Sequence, residues 1–193
     1  MDILSVKNRK EFRKWLSKNH DKEIECYILL KRGKPVDNNT FYYIDAVEEA
    51  LCFGWIDSTV RKVDGIAYQR FSKRNKKSLW TELNIARVKR LEKLGLMTDA
   101  GRSALPDDID KEFIIDKDIK KKLIENKCLK TFLSFPELYQ RIRIYNINFY
   151  KKRDKDAYKK SLDHFIKETK VGKMYGQWDD YGRLWKYCGF YKV

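Results

Sequence analysis

The dipeptide Asp64-Gly65 constrains this chain more than any other feature. It stands between two runs rich in strand-forming residues, Trp55 to Val63 and Ile66 to Ser72. Asp-Gly accepts the two positive φ angles of a type I′ turn, whose twist suits antiparallel strands, so the spacing predicts a β-hairpin. Around it the hydrophobic period changes. Asn8 to Asn19 sets Phe12, Trp15 and Leu16 at helical spacing, and Ile44 to Phe53 does the same with Val47, Ala50 and Leu51 before Gly54 ends it. Between them Glu23 to Arg32 reads as a strand closed by Gly33 and Pro35. After the hairpin, Ser78 to Leu94 reads as a helix stopped by Gly95.

The rest of the chain is helical in pattern. Asp118 to Asn126 forms a short candidate. Ser134-Phe135-Pro136-Glu137 combines an N-cap serine with a proline inside the first turn, and launches a stripe of Leu138, Ile142, Tyr145 and Phe149. Asp156 to Thr169 follows with Tyr158, Leu162, Phe165 and Ile166. The expected class is α+β: a small antiparallel sheet with packed helices, then a C-terminal helical bundle. The expected divisions are an α+β region over 1–105, an acidic linker over 106–116, a helical region over 117–172 and an aromatic extension over 173–193.

Charge separates these regions. The 193 residues carry 43 Lys and Arg against 28 Asp and Glu. Residues 58–94 hold 11 basic and 3 acidic side chains, and residues 117–193 hold 20 and 9. The longest nearly apolar run, Ala50 to Ile56, falls far short of the roughly 20 residues that span a bilayer. The first residues lack the pattern of a signal peptide. Cys26, Cys52, Cys128 and Cys188 form no CxxC pair and read as reduced thiols. A soluble cytoplasmic protein without membrane insertion is the expectation.

Enzyme templates find little purchase. Neither His20 nor His164 has a second histidine or a cysteine at ligand spacing, and no phosphate-loop, dinucleotide or nucleophile-elbow motif occurs. The reading therefore assigns no catalytic residue, metal or cofactor, and an enzyme without a recognisable motif stands as a third possibility. Asp45, Glu48 and Glu49 read as helix-start acids that favour the dipole.

Binding chemistry has better candidates. On a strand, Trp55 and Asp57 share one face, and Asp57 needs a donor if it is covered. On the helical wheel of Ser78 to Leu94, Asn84 and Arg87 fall inside the apolar stripe of Trp80, Leu83, Val88, Leu91 and Leu94. Asp57 is thus expected to meet a basic or amide group drawn from Arg70, Arg74, Asn84 and Arg87. A structural salt bridge and a ligand site both satisfy that requirement. Trp55, Phe71, Trp80 and Leu91 are expected to be buried around the hairpin. The run Arg70 to Lys77 leads, with Ser78, into a predicted helix N-terminus, where phosphate is the natural anion. The candidate ligand-binding set is Trp55, Asp57, Arg70, Arg74, Lys77, Ser78, Trp80, Asn84 and Arg87. Its partner is a small anionic ligand or a protein. Nucleic acid is the alternative, through this region and Lys151-Lys152-Arg153, with Tyr68, Phe71 and Trp80 as rings for stacking.

Three segments carry a family resemblance. Glu48-Glu49-Ala50-Leu51-Cys52-Phe53-Gly54-Trp55-Ile56-Asp57, Arg70-Phe71-Ser72-Lys73-Arg74-Asn75-Lys76-Lys77-Ser78-Leu79-Trp80-Thr81 and Leu94-Gly95-Leu96-Met97-Thr98-Asp99-Ala100-Gly101 resemble the YdeI/OmpD-associated, or bacteriocin-protection, family in order and spacing. The likeness extends over about residues 5–172. Ser58, Lys73 and Thr81 stand where that pattern has Gly, Pro and Ser. The family's name suggests a link to surviving antimicrobial peptides or envelope stress, and no reaction is attached to the motifs. The leading expectation is a non-catalytic binding or stress-protection protein with an anion-friendly site.

Overall fold

Asp64 and Gly65 take φ values of 50° and 79°, and the hairpin closes as the turn chemistry requires. The computed structural model describes residues 2–37, 39–75 and 78–185. Its elements are β1 (Ile3–Leu4), α1 (Arg9–Asn19), β2 (Glu25–Ile28), α2 (Tyr43–Cys52), β3 (Trp55–Val63), β4 (Ile66–Lys73), α3 (Glu82–Lys93), α4 (Asp99–Ser103), α5 (Lys117–Glu125), α6 (Leu129–Leu133), α7 (Glu137–Lys151) and α8 (Lys155–Lys170). The α+β class is as expected, with one correction. The four strands run in the order β1-β2-β4-β3, and β1 pairs with β2 in parallel, so the sheet is mixed. A two-residue strand has too little alternation to be visible in sequence.

The chain divides into two compact units, residues 1–79 with 87–107 and residues 80–86 with 108–193. In the first, α1 and α2 lie against the sheet face that carries Cys26, Trp55, Asp57 and Phe71. Phe12 of α1 packs against Phe71 with tilted rings 5.6 Å apart, and Trp15 meets the edge of Trp55 at 5.6 Å. The Trp55 indole N–H donates to His20 O at 3.1 Å. Asn8 caps α1 by accepting from Glu11 N.

Glu48 and Glu49 correct a second expectation. They stand in the second half of α2, beyond the reach of its N-terminal dipole, and are 0% and 2% exposed. Arginines neutralise them instead. Arg9 donates to both, through Nη1 to Glu48 Oε2 at 2.8 Å and through Nε to Glu49. Arg13 Nη1 reaches Glu49 Oε2 at 2.8 Å, and Arg90 Nη1 reaches Glu48 Oε1 at 2.7 Å. Buried carboxylates persist only with such donors, so α1, α2 and the end of α3 are locked by charge as well as by apolar contact.

The second unit is a helical bundle. Ile119, Leu123, Phe132, Ile144, Ile147 and Phe165 form one core, and Phe113 and Ile115 from the acidic segment pack against it. Leu138, Tyr139 and Ile142 form another with Trp178 and Leu184, so the aromatic extension docks onto α7 as far as the described residues go. Pro136 is the N-cap of α7 rather than a first-turn residue, and Phe149 at 37% exposure drops out of the predicted stripe.

Asp116 caps α5, accepting from Asp118 N at 3.0 Å and Ile119 N at 3.3 Å, and pairs with Lys151 at 2.7 Å. Burial pushes its carboxyl up, but Lys151 and the two amide donors prevail and hold it below the ordinary value. A depressed folded value means its stabilisation is complete above the unfolded value of about 3.9 and disappears as pH falls through the folded one. Asp116→Ala should cost about 1 kcal/mol at neutral pH. That deficit should shrink in urea melts below about pH 4; a pH-independent gap would mean the carboxylate is not the stabilising group.

Candidate functional site

All three motif segments converge on Gly54. Its φ of 73° lies in the left-handed region, and a Cβ there would stand 2.8 Å from Ala100 O. Arg74 N donates to Gly54 O at 2.9 Å, which brings in the second segment. From the third, Thr98 donates to Cys52 O through its hydroxyl at 2.6 Å and its amide at 3.1 Å. Gly101 then presses so close that a Cβ would lie 2.2 Å from Cys52 O. The residue types of these motifs answer to backbone contact at one point, the junction of α2 and β3.

From that junction β3 carries Asp57 into a polar cluster. Asp57 is half-buried and accepts a hydrogen bond from the Tyr43 hydroxyl of α2. Burial, and then the Asp57 charge, push the Tyr43 hydroxyl well above its ordinary value. The Arg32 guanidinium lies 4.6 Å over the Tyr43 ring and donates to Gln69 Oε1 at 2.6 Å. Gln69, 4% exposed, donates in turn to Ser58 O at 3.0 Å and Thr59 O at 3.3 Å. Those carbonyls belong to the irregularity where the β3–β4 register shifts between Asp57 and Val60.

The expected partners of Asp57 therefore need correcting. The register sets Asp57 opposite Phe71, so Arg70 projects from the other face of the sheet. There it pairs with Glu25 at 2.6 Å and donates to Ser58 Oγ at 3.0 Å. Arg74 donates to Leu79 O at 3.2 Å across its own loop. Arg87, 9% exposed, acts on this cluster through its charge, lowering the Tyr43 hydroxyl value. Asn84 is buried but belongs to the second unit. Tyr43, Arg32 and Gln69 went unread. Gln69 alone left a signal, being a polar residue two positions from inward Phe71 on a strand.

The remaining candidates fare unevenly. Trp55 is 1% exposed and a core anchor rather than a ligand contact. Phe71 and Leu91 are buried as expected, whereas Trp80 is only half-buried. Ser78 closes a turn with Asn75, accepting from Asn75 N at 3.1 Å while its own amide donates back to Asn75 O. The helix begins four residues later, at Glu82, with Thr81 Oγ1 accepting from Asn84 N. The phosphate site expected at Ser78 is thus displaced by a turn, and a carboxylate opens the helix. Lys77 lies outside the described residues.

What the sheet does present to solvent is its other face. Arg61 and Tyr68 stand directly opposite one another there, with Arg70 two residues along β4. Arg61 is exposed and stacked 5.7 Å from the centre of the Tyr27 ring, which is itself covered. The Glu25 carboxyl is held below its ordinary value, chiefly by its hydrogen bond from Arg70. Ile3 and Ile66 on this face are each 44% exposed. Tyr68 also lines an open cleft of about 620 Å³, together with Ile3, Leu29, Lys7 and Lys31.

Fold and site together define an α+β unit with helices on one face of a mixed sheet and an arginine–tyrosine surface on the other. Residues 4–104, most of that unit, match the family described as Domain of unknown function (DUF8412), and the chain belongs to it. No curated protein and no solved structure matches the chain.

Proposed function

We propose that this is a non-catalytic binding protein that takes an anion on the arginine face of its sheet. The observation that carries the reading is the contrast between two sets of charges. Arg9, Arg13 and Arg90 are engaged with the carboxylates of α2, while Arg61 is set on Tyr27 facing water. A guanidinium held by a ring is pre-organised, so less side-chain entropy is lost when an anion arrives. The three motif segments resemble bacteriocin-protection proteins, which supports a stress-protection role. Buried free thiols, with Cys26 pushed up to about 12 and Cys52 to about 11 by burial, suit a reducing cytoplasm. Among the described residues no helix is long and apolar enough to cross a membrane.

Titration calorimetry with inorganic tripolyphosphate at low salt tests the reading. Binding should weaken as salt is raised, and Arg61→Ala should reduce affinity several-fold without changing the melting temperature. Equal affinity in wild type and Arg61→Ala, or no binding at low salt, would overturn it.

A further inference from the structure

We infer that the occupant of this face is a single-stranded nucleic acid, with a base stacked on Tyr68 and a flanking phosphate on Arg61. The inference rests on the anion-binding reading and specifies its ligand. The strand register makes the juxtaposition. Arg61 faces Tyr68 across the β3–β4 pair, and Arg70 follows Tyr68 by two residues on the same side of β4. Directly opposed residues stand about 5 Å apart and alternate residues about 7 Å apart, so Tyr68 stands beside Arg61, with the Arg70–Glu25 pair next along the face. The Arg61 guanidinium lies over the Tyr27 ring, and Arg70 is paired with Glu25 on the same face.

A ligand that is anionic and nothing more has no use for the rest of the surface. Tyr68 forms one wall of the cleft of about 620 Å³, a size suited to a flat heterocycle, with Lys7 and Lys31 on its lining. Ile66 and Ile3 add exposed apolar surface beside it. Aromatic rings interleaved with cations are what an unpaired strand needs, because every base offers a π-face and every phosphate a charge. A duplex hides its base faces in the stack and meets only the cations. An open sheet surface with a partly exposed tyrosine ring beside cations therefore favours the single strand.

Fluorescence anisotropy with a labelled single-stranded 12-mer, the matching duplex and unlabelled tripolyphosphate as competitor decides the point. Single strand should bind more tightly than duplex, and its affinity should fall linearly on a logarithmic salt axis. Tyr68→Ala should weaken the single strand by about tenfold while leaving tripolyphosphate binding unchanged, and Tyr68→Phe should restore it. Arg61→Ala should weaken both ligands. Tripolyphosphate binding with an oligonucleotide affinity insensitive to Tyr68→Ala would sink the inference and spare the anion site. Preference for the duplex would also sink it. Failure of both ligands to bind would remove both readings.

Discussion

Gly101→Ala should cost about 3 kcal/mol or more, among the largest losses available from a single methyl group in this chain. The added carbon would lie 2.2 Å from Cys52 O, 2.7 Å from Cys52 C and 2.9 Å from Met97 Cε. Two of those atoms are backbone at the end of α2, so relief requires moving α4 away from α2. That movement stretches both Thr98 bonds to Cys52 O. Gly172→Ala is the control. Its φ is 69°, but its Cβ would meet nothing within 4 Å, so only the backbone term of about 1 kcal/mol remains. Urea melts of the two variants should differ clearly. Equal midpoints would mean that α4 yields freely and that the contact is not a constraint.

Glu48→Ala should cost about 3–5 kcal/mol, for a different reason. The carboxylate is 0% exposed and accepts from Arg9 at 2.8 Å and Arg90 at 2.7 Å. Removing it leaves guanidinium groups facing each other with part of their donors unmet, and unpaired buried charge is dearer than the pair itself. Arg90→Ala alone should also destabilise. The double variant Glu48→Ala/Arg90→Ala should then lose less than the two single losses added together. Additive losses would show that the two side chains act independently and would remove the network argument.

Much of the local structure was written in local chemistry. Asp64-Gly65 specified the hairpin because a two-residue turn with both φ values positive has few alternatives. The helices α1, α7 and α8 followed from apolar spacing and lie within three residues of their predicted starts. Such features depend on neighbours a few positions apart, which a sequence displays. The start of α3 misled the same method. Ser78 reads in sequence as the helix start, but its hydroxyl serves the Asn75 turn, and Thr81 takes the capping place.

The partners of charged groups were decided only by the tertiary structure. Sequence showed that Asp57 needed a donor, and that followed from solvation alone. It did not show that the donor is Tyr43, because the choice depends on how α2 lies across the sheet. The register likewise set Phe71 opposite Asp57 and turned Arg70 to the open face. A strand alternates faces at every residue, so a one-place difference in pairing exchanges the two sides completely. Glu48 and Glu49 make the same case, for acids near a helix start read as partners of the dipole until Arg9, Arg13 and Arg90 arrive from α1 and α3. The sequence by itself determined the longer strands and helices and that the chain is α+β, since those choices are governed by short-range sterics and periodicity, whereas the short β1, α4 and α6 show too little period to be read. Which cation meets which carboxylate, and which arginines face the open side of the sheet, was settled by long-range packing, because charges choose partners by distance in space and not along the chain.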